Sequence, residues 1–185
     1  SPYAVTKTIN ELYANVFAMH YGMEPVGLRY FNVFGPRQDP KGAYAAVIPQ
    51  WFHSLVKGEP VFINGDGETT RDFIYIENVV QANVRAALVD DPAAVNQVYN
   101  IALGESTTLN MLFTTIRDAV ALRMPRVGNA TPTYREFRAG DVRHSLADIS
   151  KAKRLLQFAP THTLAQGLAI AADYYYTNTE PPHRA

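Results

Sequence analysis

Short runs of β-branched and aromatic residues alternate along this chain with stretches of 3.6-residue apolar period. That alternation constrains the fold most, because it demands strands and helices packed in layers, the α/β class. Apolar positions Val5, Ile9, Leu12, Tyr13, Val16 and Phe17 trace one helical stripe. Ser1 suits the N-cap, Pro2 fits the first turn, and Gly22 closes the helix. Residues 25–31 read as a buried strand and 32–42 as a loop, then 45–56 as a helix ending at Gly58. Residues 61–63 and 71–76 read as strands around the turn Asn64-Gly65-Asp66-Gly67. A helix over 76–89, a strand over 97–102 and a helix over 108–122 follow. Residues 123–133 read as a loop and 134–143 as irregular and arginine-rich. Helices over 146–156 and 164–176 precede a polar tail.

These pieces do not complete a doubly wound sheet. The expected fold is α/β with a sheet that is only partial. A helix cap as first residue leads us to expect that an upstream part of a longer protein is missing.

Composition narrows the function classes. The 185 residues contain no cysteine, which excludes a disulfide scaffold, a thiolate zinc site and a cysteine nucleophile. Lys+Arg and Asp+Glu both total 17, so no nucleic-acid-wide field is expected. No apolar run nears the ~18 residues of a membrane span, and no secretory address opens the chain. We expect no nucleic-acid or membrane partner and a cytoplasmic location. Arginines outnumber lysines 12 to 5, which favours bidentate capture of carboxylate or phosphate at particular points. The five histidines show no ligand spacing, and Trp51 and the run Tyr174-Tyr175-Tyr176 read as packing.

Tyr3 and Lys7 stand one turn apart on a single helix face. A phenol is a poor base at neutral pH, and a cation held beside it favours the phenolate. Such a pair takes a proton from an alcohol while a hydride leaves the same carbon. The same spacing also describes an ordinary exposed helix pair.

Four motifs occur in order: Ser1-Pro-Tyr-Ala-Val-Thr-Lys7, Leu28-Arg-Tyr-Phe-Asn-Val-Phe-Gly-Pro-Arg37, Ile63-Asn-Gly-Asp-Gly-Glu-Thr-Thr-Arg-Asp-Phe-Ile-Tyr-Ile76 and Phe137-Arg-Ala-Gly-Asp-Val-Arg143. Together they resemble the C-terminal half of an extended short-chain dehydrogenase/reductase of the nucleotide-sugar epimerase/dehydratase group. The resemblance implies a partial Rossmann-like sheet with helices plus a small α/β substrate-binding domain: residues 1–42 a remnant of the NAD-binding Rossmann domain, 43–176 mainly the nucleotide-sugar-binding domain with part returning to the sheet, and 177–185 a tail. Arg37-Gln-Asp-Pro and Ala43-Tyr-Ala-Ala-Val-Ile-Pro49 look most like the UDP-N-acetylglucosamine 4-epimerase branch. The family's glycine-rich turn and catalytic Ser/Thr precede its tyrosine and are absent from these residues. Gly65-Asp66-Gly67 lacks a third glycine.

The resemblance implies roles. Tyr3 and Lys7 are catalytic and touch NAD, with Tyr30, Phe31 and Val33 also beside the cofactor. Tyr30 and Phe31 read equally as plain core. Asn32, Gln38, Ala46, Val47, Phe62, Asn64, Arg71, Arg138, Asp141 and Ser145 are implied to meet a UDP-sugar. Arg71 and Arg138 suit the diphosphate, and Asp141 suits the ribose diol because a carboxylate accepts two hydrogen bonds. Phe62 and Asn64 suit the base. Other readings stay open: Asn32 as a turn former, Arg71 in a salt bridge with Asp72 or Glu77, and Ser145 as a helix cap before Leu146. Arg135 and Arg143 read as bystanders on a solvated face. A serine at 145 leaves room for an N-acetyl group at the sugar's C2. The first helix is implied to pair two copies as a homodimer. The implied activity is NAD-dependent interconversion of UDP-GlcNAc and UDP-GalNAc. The alternatives are a dehydratase or decarboxylase of the same group, or a non-catalytic nucleotide-sugar-binding module.

Overall fold

The structure, a computed structural model, describes residues 2–41, 46–138 and 140–179. Ser1, the 43–45 part of the branch motif and the end of the tail lie outside the described residues. The chain opens with α1 (Pro2–Tyr21), then β1 (Val26–Tyr30), β2 (Asn32–Phe34) and α2 (Val47–Lys57). Next come β3 (Phe62–Asn64), β4 (Thr70–Arg71), β5 (Phe73–Tyr75) and α3 (Ile76–Leu88). β6 (Gln97–Ile101), β7 (Thr107–Thr108), α4 (Leu109–Ala121) and a 3-10 turn over Pro125–Asn129 follow. The last elements are β8 (Thr133–Arg135), α5 (Ser150–Leu155) and α6 (Leu164–Asn178).

β1 and β2 are halves of one extended run that changes partner at Phe31. β1 pairs in parallel with β6, and β2 pairs in parallel with β5. The Phe31 N–H donates to the Ile101 carbonyl and the Asn32 N–H to the Asp72 carbonyl. The start of the expected 32–42 loop is therefore strand, because β5 offers Asn32, Val33 and Phe34 a ladder that local sequence does not reveal. β3 pairs in parallel with β8, so part of the expected irregular stretch is also strand. β4 pairs antiparallel with β7.

β5 alternates between two cores, as a two-residue period requires. Phe73 and Tyr75 join Phe34, Trp51, Phe52, Ile63, Leu112, Ile116, Leu168 and Tyr175. Ile74 joins Tyr99, Ile101, Ile149, Leu156 and Phe158. The Phe52 and Tyr175 rings stack at 5.1 Å and 14°. The Tyr175 hydroxyl donates to the Gly35 and Gln38 carbonyls, and burial pushes it up to about 12.

Local chemistry sets the helix ends. Gly58 closes α2 at φ 75°, a left-handed conformation that costs glycine little. The Thr108 side chain caps α4 by accepting the Met111 N–H. A capping box between Thr163 and Gln166 opens α6. The expected 146–156 helix begins late, at Ser150. The Asp148 carboxylate accepts the Ser150 N–H at 2.8 Å, and the Ala147 N–H is turned towards Asp72. Ser145 therefore caps no helix.

α1 buries none of its residues, and Val5, Leu12 and Tyr13 are all more than half exposed. Among the described residues no helix is long and apolar enough to cross a membrane.

Candidate active site

Two cavities flank the Phe31–Asn32 peptide. The first, about 380 Å³, is lined by Asn32, Val33, Ala46, Val47, Phe62, Asn64, Arg71, Arg138 and Asp141, with Trp51, Thr69 and Leu109 completing its wall. The second, about 800 Å³, is lined by Tyr3, Lys7, Tyr30 and Phe31, with Glu11 and Arg29. The phenol–ammonium pair and the arginines thus occupy separate cavities that adjoin where Phe31 lines one and Asn32 the other. Val33, expected with Phe31 beside the cofactor, lines the first cavity instead: Leu28–Phe31 line the second and Asn32–Phe34 the first, and the switch falls where the run changes partner from β6 to β5.

The first cavity is built by β2, β3, β4, α2 and the segment after β8. Ala46 and Val47 sit at the start of α2. Arg71 forks: its Nη1 donates to the Thr70 carbonyl at 2.8 Å and its Nη2 to Asp141 at 2.5 Å. Its ion-pair partner is thus Asp141 rather than Asp72 or Glu77. Asp72 is fully buried, and its carboxylate accepts N–H groups from Leu103, Gly104 and Ala147. Burial pushes its carboxyl above the ordinary range against those donors. It ties the Arg71 strand to the loop after β6 and to the segment after Ser145. The sequence signal was an acid between Arg71 and an apolar run, which reads equally as a surface partner.

Two arginines expected to be solvated bystanders make specific contacts. Arg143 grips Asp66 with both terminal nitrogens, at 2.9 and 2.6 Å. That pairing and the Glu68 N–H hold the Asp66 carboxyl down at about 2. Arg135 lays its guanidinium over the Phe62 ring, 3.2 Å from the centroid. Phe137 packs on Gly65, where any Cβ would collide with its ring at 2.3 Å. Residues 134–138 and 140–145 therefore lie as a strap across the β3–β4 turn.

Gln38 and Ser145 line neither cavity. The Gln38 carbonyl is used by Tyr175. Ser145 donates its N–H to the Thr70 carbonyl, next to Arg71 in sequence.

In the second cavity the Lys7 ammonium lies 5.1 Å from the Tyr3 ring centroid, and Tyr3 is 70% exposed. The Tyr30 hydroxyl donates to Asn83. Glu11 and Arg29, which the sequence did not single out, form a two-point ion pair with both contacts at 2.6 Å. That pair holds the Glu11 carboxyl below its ordinary range.

A phenol beside an ammonium thus adjoins a cavity in which an arginine is paired with an aspartate. Residues 1–102, more than half of the chain, match the model of the NAD dependent epimerase/dehydratase family. The chain belongs to this family. It is 33% identical over 180 residues to a UDP-glucose 4-epimerase of Mycolicibacterium smegmatis, covering 97% of this chain and 54% of that protein. A UDP-glucose 4-epimerase of Thermotoga maritima, solved with UDP-glucose, superposes with a TM-score of 0.89 at 38% identity, covering 97% of this chain and 55% of that one. A UDP-N-acetylglucosamine 4-epimerase of Methanobrevibacter ruminantium, solved with UDP-N-acetylmuramic acid, superposes at 0.86 and 41% identity, covering 96% and 54%. This epimerase/dehydratase-family chain spans about half the length of the curated relatives it matches, and its parallel pairings agree with their Rossmann-like fold.

Proposed function

We propose that this chain supplies the nucleotide-sugar site and the catalytic tyrosine of an NAD-dependent UDP-N-acetylhexosamine 4-epimerase, which interconverts UDP-GlcNAc and UDP-GalNAc. The observation that carries the reading is one cavity holding Asn32, Phe62, Asn64, Arg71, Arg138 and Asp141 together. Aromatic, amide, cationic and acidic groups there match the parts of a nucleoside diphosphate in kind.

The second cavity suits the nicotinamide end of NAD, since its 800 Å³ and its phenol, ammonium and ring surfaces fit that group. Tyr3, Lys7, Tyr30 and Phe31 would hold it, and when bound it would accept a hydride from the sugar's C4 and return it. No glycine-rich diphosphate turn occurs in these 185 residues, so the adenosine end needs residues from elsewhere.

Tyr3 takes the C4 hydroxyl proton, and Lys7 presents its charge to the same phenol. Arg71 and Arg138 hold the diphosphate, so only the sugar turns before the C4 centre is rebuilt on its other face. Asp141 accepts the ribose hydroxyls, and Phe62 and Asn64 meet the base. Asn32, where the two cavities adjoin, contacts the sugar, with Ala46 and Val47 around it; Ser145, whose N–H meets the Thr70 carbonyl beside Arg71, borders the site without lining either cavity. Residues 1–42 belong to the cofactor domain and 43–176 mainly to the sugar domain. The exposed stripe of α1 is the surface for pairing with a second copy.

The test uses a full-length protein that contains this chain together with a glycine-rich dinucleotide-binding segment. It converts UDP-GlcNAc to UDP-GalNAc, followed by proton NMR. Release of water or carbon dioxide without C4 inversion would assign a sister reaction of the family instead. Ser145→Tyr loses the acetylated substrate selectively; unchanged selectivity would remove the N-acetyl assignment.

A further inference from the structure

Phe62 is held from two sides. Its carbonyl accepts the Trp51 indole N–H at 3.3 Å, and its ring carries the Arg135 guanidinium 3.2 Å from the centroid. The β3–β8 register explains the second contact. Asn64 stands opposite Arg135 and Phe62 opposite Thr133, so the arginine is the diagonal neighbour of the ring on one sheet face. Among the described residues the Arg135 guanidinium makes no hydrogen bond or ion pair, whereas Arg71 and Arg143 are both paired with carboxylates. The ring is its partner. Phe62 nonetheless leaves 38% of its surface exposed and lines the first cavity.

A phenyl ring free to turn about its side-chain bonds makes a poor platform, because ordering it on binding costs entropy. A planar cation lying on the face removes that freedom before the ligand arrives, and the ring quadrupole rewards the contact. We infer that Arg135 is a positioning residue which acts through Phe62 to set the orientation of the base of a bound pyrimidine nucleotide. This inference rests on the reading of the first cavity as a nucleoside diphosphate site. It gives a job to an arginine that the sequence left on a solvated face.

Calorimetric titration of the chain with UDP and, separately, with inorganic pyrophosphate tests it. Arg135→Ala weakens UDP roughly three- to tenfold and leaves pyrophosphate unchanged. Arg135→Lys restores only part of the loss, because an ammonium keeps the charge but not the plane. Phe62→Leu weakens UDP similarly, and the double variant loses little more than either single one, the signature of a coupled pair. A purely structural arginine would instead lower both ligands together. Unchanged UDP affinity in Arg135→Ala, or an equal loss for pyrophosphate, overturns the inference. Failure of the wild-type chain to bind either ligand overturns the nucleotide-site reading itself.

Discussion

Arg71 and Asp141 face each other in the first cavity, Nη2 to Oδ1 at 2.5 Å, with the arginine side chain 18% exposed and the aspartate 44%. A carboxylate thus occupies one arm of a guanidinium fork whose shape suits phosphate oxygens. Ligand oxygens compete with that carboxylate for the arm. Asp141→Asn therefore binds pyrophosphate more tightly than wild type, by a fewfold. It binds UDP more weakly, because an amide is a poorer acceptor for the ribose diol. Arg71→Ala weakens both by roughly 10- to 100-fold, the worth of a charged hydrogen bond. Parallel titrations of the two ligands check the opposite signs, and equal shifts in Asp141→Asn would contradict the competition.

Tyr3 is assigned the proton transfer and no grip on the nucleotide. In a full-length protein containing this chain and a dinucleotide-binding segment, Tyr3→Phe lowers kcat by roughly 10²- to 10⁴-fold, the range for a lost general base. The Kd for UDP stays within about twofold, since Tyr3 lines the other cavity. Turnover and titration on one preparation separate these effects. A large loss of UDP affinity would place the phenol in nucleotide binding.

The strap over the β3–β4 turn is pinned by Arg143 on Asp66. The guanidinium holds the Asp66 carboxyl at about 2 against an ordinary 3.8. A depressed carboxyl stabilises the fold above its unfolded value, and that contribution is lost as pH falls through the folded value. The stability gap between wild type and Asp66→Asn is full above about pH 4. It closes between there and pH 2, as urea denaturation at stepped pH reads out. A gap constant down to pH 2 would remove the ion pair as its source.

The α/β class and most elements were legible in the sequence because their signals are local. The 3.6-residue stripe marked α1, the pair Thr107-Thr108 marked the start of α4, and Gly58 marked the end of α2. β2 and β8 were missed because each is three residues long and owes its strand character to a distant partner, Phe73–Tyr75 or Phe62–Asn64. The candidate site was readable as residue types in order. Its pairings were not: that Arg71 would meet Asp141, Arg143 Asp66, and Arg135 the Phe62 ring depends on contacts about 70 residues apart. The division into two adjoining cavities follows the change of partner between Phe31 and Asn32, from β6 to β5, which a chain read as strand and then loop does not show.

Phe52 is fully buried and stacked on Tyr175, joining α2 to α6. Phe52→Ala costs about 3–5 kcal/mol of stability, the range for a buried aromatic whose space cannot collapse. Chemical denaturation measures it. A cost below about 1 kcal/mol would mean that the ring is replaceable by repacking.

The central claim is that the first cavity receives a uridine diphosphate group. A crystal structure of this chain with UDP reads it directly. The expected result is the diphosphate within about 3 Å of the Arg71 nitrogens, the base against Phe62, and Asp141 withdrawn from the guanidinium to the ribose. UDP bound elsewhere, or Arg71 still paired with Asp141 while the nucleotide is present, would contradict it.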